Sequence, residues 1–116
     1  YMRNYHNRRN KYDIIFKMMN VLRARVREAI KNNGGIKSFK TIKLIGCSVS
    51  KCMKHLEKQF TKGMSWKNHG KWHIDHIMPC ASFDLRNVSE QLKCFNYKNL
   101  QPMWKIDNLQ KGSKVA

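Results

Sequence analysis

The stretch that decides the fold is Trp72-His73-Ile74-Asp75-His76-Ile77-Met78-Pro79. Apolar and polar residues alternate from Trp72 to Asp75, and this period of two predicts a short β-strand. Pro79 stops the strand because proline has no backbone N–H to give to a neighbouring strand. Adjacent strand residues point to opposite faces, so Asp75 and His76 can serve one site only where the strand ends or bends.

Farther along the chain, the pattern predicts a second strand and a final helix. A turn at Asn96–Asn99 leads into an extended segment, Leu100–Trp104, which is predicted as a second strand. Ile106 and Leu109 then fall on the buried side of a short helix that Gly112 closes. The C-terminal part of the chain is therefore predicted as strand, strand and helix.

This arrangement resembles the HNH nuclease family, whose shared unit is two short antiparallel strands and a helix around a single metal ion. Asp75-His76 match the family's acid–histidine pair, Asn99 its middle asparagine, Asn108 its last metal-binding position and Lys111 its trailing lysine. The third family letter is often histidine, and Asn108 is a variant that still offers an oxygen ligand. The ordered set Ile-Asp-His-Ile-x-Pro, Asn-Leu-Gln and Asp-Asn-x-x-Lys is far more specific than an Asp-His pair alone. Segments 44–48, 63–66 and 94–97 are also similar to phage- and virus-type HNH proteins.

The resemblance implies a metal-dependent DNA endonuclease that leaves 5′-phosphate and 3′-hydroxyl ends. Asp75 and Asn108 would hold one divalent ion, Mg²⁺ in the first place and Mn²⁺ as the alternative, since hard ions take oxygen ligands. His76 would act as general base, because an imidazole accepts a proton near physiological pH. Asn99 would close the loop between the strands and hold His76 through a backbone contact, and Lys111 would steady a phosphate.

Two further side chains have roles that the sequence leaves open. His73 lies two residues before Asp75 and so shares its strand face. It is a third metal ligand, a proton donor to the leaving group, a phosphate contact, or only a polar residue on an open face. Lys114 is a possible helper of Lys111.

Composition favours a polyanionic partner. The chain has 24 Lys+Arg against 7 Asp+Glu, a formal net charge of +17 and a pI of about 10.1. Charge of this size, spread along the whole chain, indicates a nucleic acid first and an anionic membrane surface only second. The resemblance to HNH nucleases implies that the nucleic acid is double-stranded DNA. We expect phosphate contacts from these basic residues: Arg23, Arg25, Arg27, Lys31, Lys37, Lys40, Lys105 and Lys114.

The N-terminal half is predicted to be mostly helical. From about Asp13 to Asn32, apolar residues recur at three-four spacing and give one buried stripe: Ile15, Met18, Met19, Leu22, Val26, Ala29 and Ile30. Residues 1–12 lack this period and are expected to be a frayed end or an arm on phosphates, and residues 36–46 a connector. Ser48 is the predicted N-cap of a helix to about Phe60, on which His55 faces outward.

Cysteine spacing argues against a structural zinc site. Cys47, Cys52, Cys80 and Cys94 form no Cys-x-x-Cys knuckle, so we expect four reduced thiols in an intracellular protein. No apolar run is long enough to cross a bilayer, and no secretory leader is visible. Abundant lysine, asparagine and isoleucine suit an A+T-rich viral, phage or mobile-element gene.

The sequence as a whole predicts one α+β domain. Residues 1–60 would form a basic helical DNA-binding part, and residues 61–116 a ββα-metal (HNH) core with a two-stranded antiparallel sheet. Double-strand cleavage would need a dimer or two visits, since one centre cuts one strand. The alternatives are a non-catalytic basic nucleic-acid-binding module, or the same chemistry on RNA.

Overall fold

The structure, a computed structural model, describes the backbone of residues 2–107 and the side chains of residues 13–107. The helices are α1 (Met2–Asn32), α2 (Thr41–Ile45), α3 (Val49–Glu57) and α4 (Val88–Phe95). The strands are β1 (Trp72–His76) and β2 (Leu100–Trp104), and short 3₁₀ turns lie at Trp66–Asn68, Cys80–Ser82 and Tyr97–Asn99. The chain is therefore an α+β protein with four helices and a two-stranded sheet in its described part, as expected.

Helix α1 packs on the core through the predicted stripe. Met18, Leu22, Val26 and Ile30 are buried, and Ile15, Met19 and Ala29 pack beside them. The helix begins at Met2, so the prediction of a non-helical segment before Asp13 was wrong. Helix propagation needs no apolar stripe once a nucleus has formed, and Arg, Lys and Met are good helix formers.

The segment predicted as a connector contains a helix. Helix α2 buries Thr41, Leu44 and Ile45 against the core, and Gly46 ends it with φ of 82°. Five residues are too few to show a helical period in the sequence, which is why the prediction missed this element. Gly35 lies just upstream, and a Cβ there would be 2.3 Å from the Leu85 carbonyl oxygen, so only glycine fits.

Side-chain caps set the starts of the other two helices. Ser48 Oγ accepts from Lys51 N at 3.2 Å, which confirms the predicted N-cap of α3, although α3 ends at Glu57 rather than near Phe60. Asn87 Oδ1 accepts from Ser89 N at 2.9 Å and starts α4. Such caps satisfy N–H groups that have no partner in the first helical turn.

The two strands form an antiparallel hairpin, with Trp72 opposite Trp104 and His76 opposite Leu100. Trp72, Ile74 and Leu100 are buried and join the helical residues in one core cluster, so both halves of the chain contribute to the same core. Within the described residues, no helix has the length and apolar character needed to cross a membrane.

The start of the expected final helix differs from the prediction. Residues 105–107 are helical, as predicted, but the Ile106 side chain is 67% exposed rather than buried. Lys105 N is held by the Lys71 carbonyl at the open end of the hairpin, so the chain leaves the sheet at its edge and Ile106 lies beside solvent. Leu109 and Gly112 lie outside the described residues.

Candidate functional site

Asn99 fastens the loop that follows Asp75-His76 to the start of β2. Its side chain accepts from Met78 N at 2.9 Å and donates to Met78 O at 3.1 Å and to Cys94 O at 2.9 Å. Its backbone oxygen accepts from Ile77 N at 2.8 Å. The loop after β1 is thus held at two successive residues and tied to helix α4. The expected contact was one that holds His76 through its backbone. The observed hydrogen bonds are instead to Ile77 and Met78, the two residues that follow His76.

Asp75 and His76 are the last two residues of β1 and have different neighbours. Asp75 lies opposite Gln101 in the register, and its carboxylate accepts from Gln101 Nε2 at 3.1 Å. The His76 ring packs edge-on against Phe95, with 5.5 Å between ring centroids. Side chains therefore alternate between the two faces up to the last residue of β1. Asp75 and His76 can reach the same phosphate only if it lies across the end of the strand.

His76 also lies next to two thiols. Its Nδ1 is 3.6 Å from Cys80 Sγ, and the Cys94 thiol donates to Cys80 Sγ at 3.7 Å. The hydrogen bond from Cys94 is the main reason that the pKa of Cys80 falls to about 5, with His76 acting in the same direction and burial opposing it. Cysteine spacing did not predict this cluster, because Cys80 and Cys94 form no Cys-x-x-Cys pair and meet only in the fold. The available signal was a cysteine four residues after His76, past a proline.

The Asp75 side of the sheet is rich in positive charge. Arg25, from α1, lies near enough for its charge to act on Asp75, and burial lowers the pKa of this guanidinium while Asp75 opposes that effect. Burial, with Arg25 and Lys105, lowers the pKa of His73. The Asp75 carboxylate therefore lies near cationic groups, with Glu28 as a second acid close to Arg25, and the excess of positive charge suits an incoming phosphate.

His69 adds a neutral imidazole to this side. Burial lowers its pKa to about 4, and the charges of Lys17, His73 and Arg25 act in the same direction. Its ring lies edge-on to Trp72, and its buried Nε2 has no hydrogen-bond partner among the described residues. The sequence offered no signal for His69, which lies in a loop between turn residues.

The predicted DNA-binding residues fall into separate groups. Lys37 lies near Arg23 and Arg27: its pKa is lowered first by burial and then by those two charges, and its Nζ donates to Thr41 Oγ1 at 2.8 Å. Arg25 lies instead near the end of β1, where its charge reaches Asp75 and its side chain lines a small cavity with His76 and Phe95. The exposed remainder is Lys31, Lys40 and Lys105, whereas Asn108, Lys111 and Lys114 lie outside the described residues.

A second basic surface was not predicted. Lys51, Lys54, Lys58 and Lys98 surround Tyr97 and His55 in one shallow pocket. His55 lies on the surface side of α3, as predicted, and is half-buried because Tyr97 packs edge-on against it at 5.2 Å between ring centroids. Tyr97 follows α4 and folds back over α3, a contact between distant parts of the chain that no local pattern reveals.

Comparison with known proteins finds relatives in a giant virus. One uncharacterized protein of Acanthamoeba polyphaga mimivirus is 38% identical over 110 residues, which are 92% of this chain and 48% of the relative. A second uncharacterized protein of the same virus is 38% identical over 105 residues, 90% of this chain and 45% of the relative. The chain spans about half the length of the curated relatives it matches, and these relatives support a viral origin. No protein-family model and no solved structure matches the chain.

The Asn99 bonds lead to a first prediction. We expect Asn99→Ala to lower the free energy of unfolding by about 2–4 kcal/mol, since each lost hydrogen bond costs on the order of 1 kcal/mol and leaves a backbone partner unpaired. Urea unfolding followed by circular dichroism measures this loss. Asn33→Ala is the matched control, because the exposed Asn33 side chain makes one bond, to Ala29 O at 2.7 Å. Equal, small losses in the two variants would contradict the role given to Asn99.

Proposed function

We propose that this chain is a metal-dependent endonuclease of the HNH type that hydrolyses phosphodiester bonds of double-stranded DNA. The observation that supports this best is the Asn99 side chain, which ties Met78 to Cys94 directly after the Asp75-His76 pair. An asparagine that closes the loop between two antiparallel strands is what the resemblance implies. The proposal includes the ββα-metal core at residues 61–116 and the DNA-binding role of residues 1–60.

The charge distribution supports a phosphate-containing substrate. Asp75 and His73 both lie near Arg25, in a chain of net charge +17. Arg25 is half-buried on a long helix, so it would present a fixed positive charge to a phosphate rather than a mobile one. Lys105, at the end of β2, would add a second charge from the other strand.

The donor set on this side suits a hard cation in part. Asp75 offers a carboxylate oxygen, and the second expected ligand, Asn108, lies outside the described residues. Mg²⁺ is the first candidate and Mn²⁺ the second, because few-ligand carboxylate sites that also accept phosphate oxygens are typical of these ions. When bound, the ion would stabilise negative charge on the phosphate and on the departing 3′ oxygen.

His76 would take a proton from the attacking water. The ring is held edge-on to Phe95, so its orientation is fixed before substrate binds. Because Asp75 and His76 face different neighbours, the scissile phosphate would lie across the end of β1, beside the exposed Ile77 and Met78. Expulsion of the 3′ oxygen would leave 5′-phosphate and 3′-hydroxyl ends.

A second candidate function is nucleic-acid binding without catalysis. The four lysines around Tyr97 favour it, because they form a basic surface that includes neither Asp75 nor His76. Backbone charge contacts of this kind need no metal and weaken steeply with salt.

One assay separates the two functions. We expect residues 1–116 to convert supercoiled plasmid to nicked or linear DNA with Mg²⁺ or Mn²⁺ and to stop when EDTA is added. Asp75→Asn should reduce the rate at least about 100-fold, because the variant lacks the carboxylate that would hold the charge-stabilising ion. Asp84→Asn is the matched control, because Asp84 is an exposed acid paired with Arg86.

The same mixtures should be run with RNA and analysed for DNA binding at several salt concentrations. Salt-sensitive binding without cleavage under any divalent ion would establish the non-catalytic module. Cleavage of RNA alone would move the proposed chemistry to RNA.

A further inference from the structure

Three potential metal ligands converge from three elements of the fold. His76 ends β1, Cys80 begins the 3₁₀ turn after Pro79, and Cys94 lies in the last turn of α4. Their ligand atoms all lie within 4.8 Å of one another. Cys94 is fully buried, and the other two residues are half-buried, so the cluster is partly shielded from water while remaining within reach of an ion.

The separations match those of a tetrahedral zinc site. With Zn–S near ~2.3 Å and Zn–N near ~2.05 Å, two sulfurs are ~3.8 Å apart and a sulfur and a nitrogen ~3.6 Å apart. The Cys80–Cys94 sulfur separation is 3.7 Å, and the Cys80 sulfur lies 3.6 Å from His76 Nδ1. Two edges of the tetrahedron are therefore already in place without an ion.

The loop carrying these ligands is held in position by Asn99. Its side chain bonds both Met78, which lies between His76 and Cys80, and the backbone oxygen of Cys94 itself. Outer-shell hydrogen bonds of this kind orient metal ligands and reduce the entropy lost on binding. The Phe95 ring further restricts His76 from the side of α4.

We propose that His76, Cys80 and Cys94 bind one Zn²⁺ ion, with the fourth position taken by water or by a group from outside this cluster. Two sulfurs and an imidazole select a soft or borderline ion, whereas Mg²⁺ prefers oxygen. This site is distinct from the proposed Asp75 ion in donor chemistry and in strand face. It stands whether or not the chain cleaves DNA.

One consequence does rest on the proposed function. Zn²⁺ at this site would use the lone pair of His76 that the proposed hydrolysis needs for a proton. The zinc-bound chain would then be inactive, and zinc would be a regulator of the same centre. The site itself is tested by metal binding alone, so a failed cleavage assay does not affect it.

Co²⁺ is the probe for the test, because thiolate ligands give it a strong near-ultraviolet charge-transfer band and tetrahedral ligands give it visible bands. We expect reduced, metal-free residues 1–116 to bind one Co²⁺ with both signals, and Zn²⁺ to displace it. Cys80→Ser and His76→Ala should weaken binding by more than the about 10- to 100-fold that loss of an outer-shell partner costs. Zn²⁺ should also raise the thermal unfolding midpoint of the wild type.

The matched control is Cys47→Ser. Cys47 is half-buried like Cys80, and it interacts with Cys52, a cysteine outside the proposed site. This variant should keep the cobalt spectrum unchanged. Absence of a charge-transfer band in the wild type, a band of undiminished intensity and Co²⁺ affinity in Cys80→Ser, or a band that Cys47→Ser removes would each overturn the assignment. Circular dichroism of each variant shows whether it is folded, and His76→Ala, which alters no thiol, gives a second reading.

Discussion

His76→Ala is expected to reduce metal-dependent plasmid cleavage by about 10²- to 10⁴-fold, the usual contribution of a positioned general base. Binding to the same plasmid should persist, because the phosphate contacts come from lysines and arginines elsewhere. The measurement is the initial nicking rate with Mg²⁺ or Mn²⁺, with Zn²⁺ excluded so that the proposed zinc site stays empty. Added imidazole should restore part of the rate by entering the space left beside Phe95.

The control for this variant is His55→Ala. His55 is also a half-buried histidine packed edge-on to an aromatic ring, but it lies on α3 against Tyr97. The His55→Ala variant should cleave plasmid at the wild-type rate. Equal cleavage by wild type and His76→Ala would remove the proposed base, and equal losses in the two histidine variants would point to misfolding.

Trp72→Ala is expected to have the largest effect on stability, about 3–5 kcal/mol of unfolding free energy, as for other fully buried aromatic residues. Trp72 is 0% exposed and packs against Phe60 and Trp66, with ring centroids 5.0 and 5.3 Å away. Its indole N–H donates to Ser65 O at 2.8 Å and to Asn68 Oδ1 at 3.0 Å. A typical domain is stable by only about 5–15 kcal/mol, so this variant should be close to unfolding.

Trp104 provides the comparison for this variant, since it lies directly opposite Trp72 in the hairpin and is half-buried. Trp104→Ala should cost clearly less, because its indole stays partly in water and, among residues 13–107, donates to one acceptor, Thr61 Oγ1. Urea unfolding of the two variants gives the difference. A larger loss for Trp104→Ala would mean that the core does not centre on Trp72.

The sequence predicted the elements that have a long periodic pattern or a clear local signal such as a helix cap, a turn or a proline. The α1 stripe from Met18 to Ile30 repeats over several turns, and its burial is confirmed. Ser48 caps α3 as predicted, and both strands lie in the predicted segments, one before Pro79 and one after the turn at Asn96–Asn99. The roles of Asp75, His76 and Asn99 in catalysis stay predictions, because geometry alone does not measure a rate.

The features that the sequence did not predict depend on contacts between distant residues. Cys94 meets Cys80 only because α4 packs beside the end of β1, and Tyr97 meets His55 only because the chain turns back after α4. In the sequence, Arg25 does not differ from the other basic residues of α1, yet the fold places it near Asp75. Helix α2 is too short for its period to be seen. Spacing rules cover neighbours along the chain, and these groups are neighbours only in three dimensions.

Pro102, in the middle of β2, limits the pairing of a further strand with this sheet. It lies opposite Ile74, between the backbone bonds of Ile77 to Asn99 and of Lys105 to Lys71. Because bonded and non-bonded pairs alternate in an antiparallel ladder, the nitrogen of Pro102 faces away from β1. The outer rim of the sheet therefore lacks a donor at its midpoint, and a third strand from another molecule would meet a gap there. Such a break disfavours edge-to-edge pairing of β2 with a strand of another copy at high protein concentration.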